Sequence, residues 1–195
     1  MKNYLKLTAP IAALLALFGC DQQNGIQSSS ASDNTEQQVD AVEVVVEDPS
    51  KWTINDTTSP MDDSRNVVLT IDSNENFTNR YGRYGSATLA LRCIESRTTF
   101  LLGFNGEFLS DNDHYRFVEF RLDSEPKFTR PMSTSTNNEY LGFWRSMAIP
   151  AIEELFGHEK LTVRATPYNK SPVVVTFDIK GVEDEVEPLR DACSW

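Results

Sequence analysis

The side chains best suited to chemistry are three cysteines, Cys20, Cys93 and Cys193, and two histidines, His114 and His158. Their spacing forms no zinc-finger or zinc-ribbon cluster. Asp111-Asn112-Asp113-His114 opens like a calcium loop but lacks the glycine at its sixth position and the glutamate at its twelfth, so it reads as a polar turn. His158 follows Gly157 at the end of an apolar helical stripe, where the helix dipole favours a cation. Glu153 and Glu154 are adjacent, so on a helix they point about 100° apart and make a poor acid/base pair. There is no Gly-x-Ser-x-Gly elbow, no phosphate loop, and no cysteine nucleophile matched to a histidine. The reading predicts no catalytic residue, no cofactor and no metal, and hence a protein that acts by binding.

Cys20 differs in context from the other two cysteines. Lys2 and Lys6 precede an apolar stretch from Leu7 to Gly19. A permanent membrane span needs about 20 apolar residues to cross roughly 30 Å of hydrocarbon. Residues 1–19 therefore read as an export signal peptide. Leu17-Phe18-Gly19-Cys20 resembles the lipobox of bacterial lipoproteins, although Phe18 departs from the small or β-branched residue usual there. That resemblance implies acylation of Cys20 and a membrane partner engaged through N-terminal acyl chains, two or three of which hold a protein essentially permanently. The expected location is the bacterial cell envelope, periplasm-facing, and Asp21 after the cysteine resembles an inner-membrane retention signal.

Residues 20–48 read as an acidic tether. Seven acids from Asp21 to Asp48 stand without any Lys or Arg, and Gln22 to Gln38 is rich in Gln, Asn and Ser with little to bury. Val42 to Val46 could add a short strand at its end. The whole chain carries 29 acidic against 18 basic side chains, a formal net charge of -11, which repels the phosphate backbone of a nucleic acid.

Residues 49–195 read as one β-rich domain. Val67, Leu69 and Ile71 alternate with Val68, Thr70 and Asp72, a period of two that recurs in Leu89, Leu91 and Cys93; Phe100, Leu102 and Phe104; Val118, Phe120 and Leu122; Leu161, Val163 and Ala165; and Val173, Val175, Phe177 and Ile179. Asn105-Gly106 predicts a hairpin turn. Ala148, Ile152, Leu155 and Phe156 predict one helix capped by Gly157, and Val182, Val186, Leu189 and Cys193 a second that Pro188 must kink or divide. The expected fold is mainly β (α+β): an antiparallel β-sandwich or open barrel with one or two covering helices. With Cys20 acylated, Cys93 and Cys193 remain as a pair for one disulfide in an oxidising compartment; the alternative is two free buried thiols.

For binding, the polar loop Met132 to Asn138 leads into Tyr140, Phe143 and Trp144, a mixture of hydroxyls and aromatics suited to sugars or extended peptides. The alternative is that the aromatics fill the core beneath the loop. Arg121 and Asp123 lie two apart, which on a strand puts them on one face, to pair with each other or to contact a ligand. Tyr140, Trp144, Arg121 and Asp123 are thus the candidate binding surface.

Several runs carry a family resemblance. Arg164-Ala165-Thr166-Pro167-Tyr168-Asn169-Lys170-Ser171-Pro172-Val173, Phe177 to Val182, and Pro188-Leu189-Arg190-Asp191-Ala192-Cys193-Ser194-Trp195 are similar to the VasI/TagO family of type VI secretion-associated proteins. Ser59 to Asp63, Leu91-Arg92-Cys93, Arg121-Leu122-Asp123 and Ala148-Ile149-Pro150 follow in the order that family shows. The resemblance implies an accessory or scaffold protein of the envelope, partnered with a protein there or with peptidoglycan, and offers no catalytic residues to carry over. A second reading is an inhibitor or immunity-like lipoprotein that attracts a cationic cell-wall hydrolase. Much of the acidity lies in the tether, which weakens that reading.

Overall fold

In the computed structural model, residues 50–112 and 114–195 are described. The strands, in chain order, are β1 (Thr53–Thr58), β2 (Arg65–Thr78), β3 (Tyr84–Ile94), β4 (Arg97–Phe104), β5 (Phe117–Leu122), β6 (Phe128–Pro131), β7 (Ser133–Thr134), β8 (Tyr140–Trp144), β9 (Lys160–Ala165) and β10 (Val173–Asp178). They form two open antiparallel sheets, one six-stranded in the order β1-β2-β3-β4-β8-β7 and one four-stranded in the order β10-β9-β5-β6. The expected antiparallel β architecture is present, as open sheets and not as a closed barrel. The weak strand expected at Val42 to Val46 and the acylation expected at Cys20 lie outside the described residues.

Period-two alternation explains the core. Leu69, Leu91, Phe100 and Leu102 are fully buried on the inner face of the six-stranded sheet, opposite Val118, Phe120, Val163 and Phe177 from the other. Phe120 meets Phe143 across the two sheets with ring centroids 6.0 Å apart. Short helices close the rest. Helix α1 (Ala148–Glu153) buries Ala148, Ala151 and Ile152, with Pro150 in its first turn and Gly157 beyond it at φ 75°. The carboxyl-terminal helical run is divided into α2 (Val182–Glu185) and α3 (Glu187–Cys193), and Pro188 sits in the first turn of α3, where its missing N–H costs nothing.

Cys93 on β3 and Cys193 at the end of α3 form a disulfide with Cα atoms 5.7 Å apart. The oxidised pair replaces the alternative of two free thiols. It ties the last helix to the inner face of the six-stranded sheet.

Two turns differ from expectation. Asn105-Gly106 does not join paired strands, because β4 pairs with β3 and β8 while β5 belongs to the other sheet. The tight hairpin is instead Glu95-Ser96 between β3 and β4, both residues at positive φ (51° and 57°) as a two-residue type I′ loop requires. Asp123 lies past the end of β5 at φ 44°, in a turn, so the strand alternation that would align it with Arg121 stops at Leu122.

One irregularity in β2 has a chemical repair. Between Asp72 and Asn76 the register against β3 shifts, leaving extra residues on β2. The Ala87 N–H at the bulge donates to Ser73 Oγ at 2.9 Å, and that hydroxyl donates to the Glu75 carbonyl at 2.7 Å. Glu75 then reaches β10, which packs beside β2, and accepts the Thr176 N–H at 2.6 Å.

Candidate binding site

Strand β8 alternates Leu141 and Phe143 inward with Tyr140, Gly142 and Trp144 outward, so both candidate aromatics stand on the outer face of the six-stranded sheet. Neighbouring strands keep the face low beneath them. Gly103 is directly opposite Tyr140, and a Cβ on it would lie 2.7 Å from the Tyr140 ring. A Cβ on Gly142 would lie 2.6 Å from Leu101 Cδ2 and 3.1 Å from Trp144 Cε2. The two glycines thus let the rings lie across the sheet. Leu101, outward on β4, is 2% exposed. Trp144 is further fixed by its indole N–H, which donates to the Ser133 carbonyl at 3.4 Å.

Arg92, Thr99 and Trp144 form a row across β3, β4 and β8. Arg92 Nε donates to Thr99 Oγ1 at 2.8 Å, and among the described residues the guanidinium has no carboxylate partner. Burial lowers its pKa from the usual arginine value, because the half-buried cation has lost part of its hydration. Two clefts flank the aromatics. The one beside Tyr140 is about 520 Å³ and mixes Asp72, Arg83 and Glu139. The one beside Trp144 is about 480 Å³ and is lined by Arg92, Arg97 and Arg145 with the hydroxyls of Thr99 and of Ser133 to Thr136.

Arg121 and Asp123 are elsewhere, on the four-stranded sheet and its turn. Arg121 donates to the carbonyls of Glu125 (3.0 Å) and Ser124 (3.3 Å), bracing the β5–β6 turn, and does not bond Asp123. Asp123 accepts the N–H groups of Glu159 (3.1 Å) and Lys160 (2.8 Å) and meets His158 Nδ1 at 2.9 Å. The structure therefore brings Tyr140 and Trp144 together and sets Arg121 and Asp123 apart from them as turn-fastening groups.

The hydrogen bond with His158, joined by those from Lys160 and Glu159, holds the Asp123 carboxyl below its ordinary pKa. A depressed carboxyl pKa stabilises the fold above the unfolded value of about 3.9, and the contribution disappears as pH falls through the folded value. Asp123→Asn should therefore cost about 1 kcal/mol or less of stability at pH 6 for so accessible a pair, seen as a small fall in melting temperature. Wild type and variant should converge as pH falls through the lowered folded value. Parallel thermal melts would show it; a gap that widens on acidification would contradict it.

Among the described residues no three His, Cys, Asp or Glu side chains are grouped to hold a metal ion. His114 is exposed, Glu153 is exposed, and Glu154 pairs with Arg130 at 2.7 Å. No helix of the described residues is long and apolar enough to cross a membrane.

Sequence reasoning missed a polar knot at one end of the domain. Glu107, 2% exposed, accepts the Arg80 N–H (2.8 Å) and Arg80 Nε (3.0 Å), with Lys170 Nζ at 3.5 Å. Arg80 also donates to the Tyr168 carbonyl at 2.6 Å. Asn79 and Asn105 complete the knot: Asn79 Nδ2 donates to the Asn105 carbonyl at 2.6 Å, and Asn105 Nδ2 to the carbonyls of Phe77 (3.0 Å) and Arg83 (2.9 Å). The signal in the sequence was a single acid, Glu107, standing between Phe104 and Phe108-Leu109.

These features define a disulfide-bonded, two-sheet β protein whose outer face carries half-buried aromatics beside an arginine-lined cleft. The chain belongs to the type VI secretion system VasI, EvfG family, whose profile matches residues 16–195. It is thus a type VI secretion-associated accessory protein, which points to the cell envelope and to a protein partner there. Among solved structures it is similar to the crystal structure of invasion associated protein B from Bartonella henselae, with a TM-score of 0.46 and 11% identity over 72% of this chain and 91% of that one. No curated protein matches the chain.

Proposed function

We propose that this protein is a lipid-anchored, periplasm-facing accessory of a type VI secretion system that acts by binding an envelope partner through the outer face of its six-stranded sheet. The observation that carries this reading is the pair Tyr140 and Trp144, held flat over Gly103 and Gly142 between two clefts of ligand size. Cys20 is the acylation site, residues 1–19 are the export signal, and residues 20–48 are the spacer. A segment of that length reaches at most about 100 Å. The arginine-lined cleft has the wrong sign for a cationic hydrolase at this face, which favours the accessory reading over inhibition.

Two measurements test it. Cys20→Ala should leave an unprocessed precursor or release the protein from the membrane fraction; a variant that stays with membranes at unchanged mobility would remove the anchor. A photo-crosslinking residue at position 144 should capture an envelope component that the same residue at position 121 does not. Equal capture from both positions would overturn the assignment of the face.

A further inference from the structure

We infer that the cleft beside Trp144 is a site for a carboxylate-bearing cell-wall glycopeptide, a sugar face lying on the indole while a stem-peptide carboxylate is held by Arg92 and Arg145. The inference rests on the binding face proposed above and names its ligand class.

Two of the three arginines lining the cleft lack an acid among the described residues: Arg97 is paired with Glu95, but Arg92 and Arg145 have no carboxylate partner there. A half-buried guanidinium without an acid is costly to keep dry, and an anion from outside would restore what burial removed. Arg145 adds a second sign of arrangement. It is a non-glycine residue held at φ 56°, at the junction of β8 with the short 3-10 helix Arg145–Met147. That left-handed conformation is disfavoured for an L side chain and persists when its surroundings fix it. It follows Trp144 directly and lines the same cleft.

Charge identifies the kind of anion. The domain, residues 49–195, carries 22 acidic against 16 basic side chains, so a long polyanion such as a polyphosphate chain is repelled at long range. A single carboxylate entering a cleft with two unmatched guanidiniums is accepted locally, by planar bidentate hydrogen bonds. The hydroxyls of Ser133, Thr134 and Thr136 and the indole, all lining the cleft, suit the hydroxyl and acetamido groups and the apolar face of a sugar ring. A ligand that joins amino sugar and free carboxylate satisfies both halves of the site; a peptide without sugar leaves the indole unused.

The test uses the full exported protein and three probes: the disaccharide N-acetylglucosaminyl-N-acetylmuramyl tetrapeptide, the same compound with its carboxyls amidated, and chitotetraose. Tryptophan fluorescence should change with the first probe, and the change should be absent in Trp144→Phe. Affinity should fall at least tenfold for the amidated probe and for Arg145→Gln, an exposed position that does not threaten folding, and should be only partly restored in Arg145→Lys, which keeps the charge but not the planar fork. Arg92→Gln should act likewise, with circular dichroism confirming its fold. Equal binding of the amidated probe or chitotetraose would overturn the carboxylate assignment while leaving the face itself in use. No binding of any probe at millimolar concentration would overturn the glycopeptide assignment, and the crosslinking at position 144 then decides separately whether the face engages a protein.

Discussion

Cys193→Ser is expected to unfold more easily than wild type by about 3 kcal/mol, the middle of the range for loss of a native disulfide. The bridge to Cys93 closes a loop of 100 positions, for which chain entropy alone suggests about 4.7 kcal/mol. Native contacts keep part of the restraint when the bond is gone: Leu189 of α3 is fully buried, and the helix still packs on β2 and β3. For a domain of this size about 3 kcal/mol lowers the melting temperature by roughly 10 °C. Reduction of the wild type should give the same fall, because Cys93 is completely buried and its thiol behaves there as a small apolar group. Melts of the oxidised, reduced and substituted proteins would check this, and agreement of all three within about 2 °C would refute it.

Glu107→Gln is expected to cost about 2–3 kcal/mol. Breaking one side of a buried ion pair costs about 3–5 kcal/mol because the surviving charge keeps its desolvation penalty. Arg80 is 27% exposed, so part of that penalty is relieved by water, and the estimate falls below the full range. Glutamine keeps the shape and one carbonyl acceptor but cannot serve the Arg80 N–H, Arg80 Nε and Lys170 together. The loss should be local first: amide exchange should accelerate at Arg80, Asn105 and Tyr168, which this knot joins, before the sheet centres respond. Arg80→Gln in the same background should add little, since its partner is already gone. Additive losses would show that the two residues act independently.

The strands were legible because burial of one sheet face writes a period of two into the residues, as in Val67-Leu69-Ile71 and Leu161-Val163-Ala165. Pro188 likewise announced a divided helix. What local pattern could not carry was partnership between distant segments. Asn105-Gly106 has hairpin chemistry, yet β4 takes β8 as its neighbour from across a long connection, and the turn serves the Glu107 knot instead. Tyr140 and Trp144 were found from residue type. Their company in the cleft, Arg92 and Arg145, was missed because Arg92 looks like any polar residue on an alternating strand, and the positive φ of Arg145 leaves no trace in its residue type. Arg121 and Asp123 share a face only on a continuous strand, and β5 ends between them.

The β2 bulge has a bearing on how copies of this protein behave toward one another. An unladdered strand margin is a template onto which a foreign segment can zip, the usual first step of intermolecular aggregation. Here β10 presents its margin to β2, and the carboxylate of Glu75 already occupies the Thr176 amide. An intruder would have to evict that carboxylate before laddering past Thr176, so growth of cross-β aggregates along this margin is disfavoured.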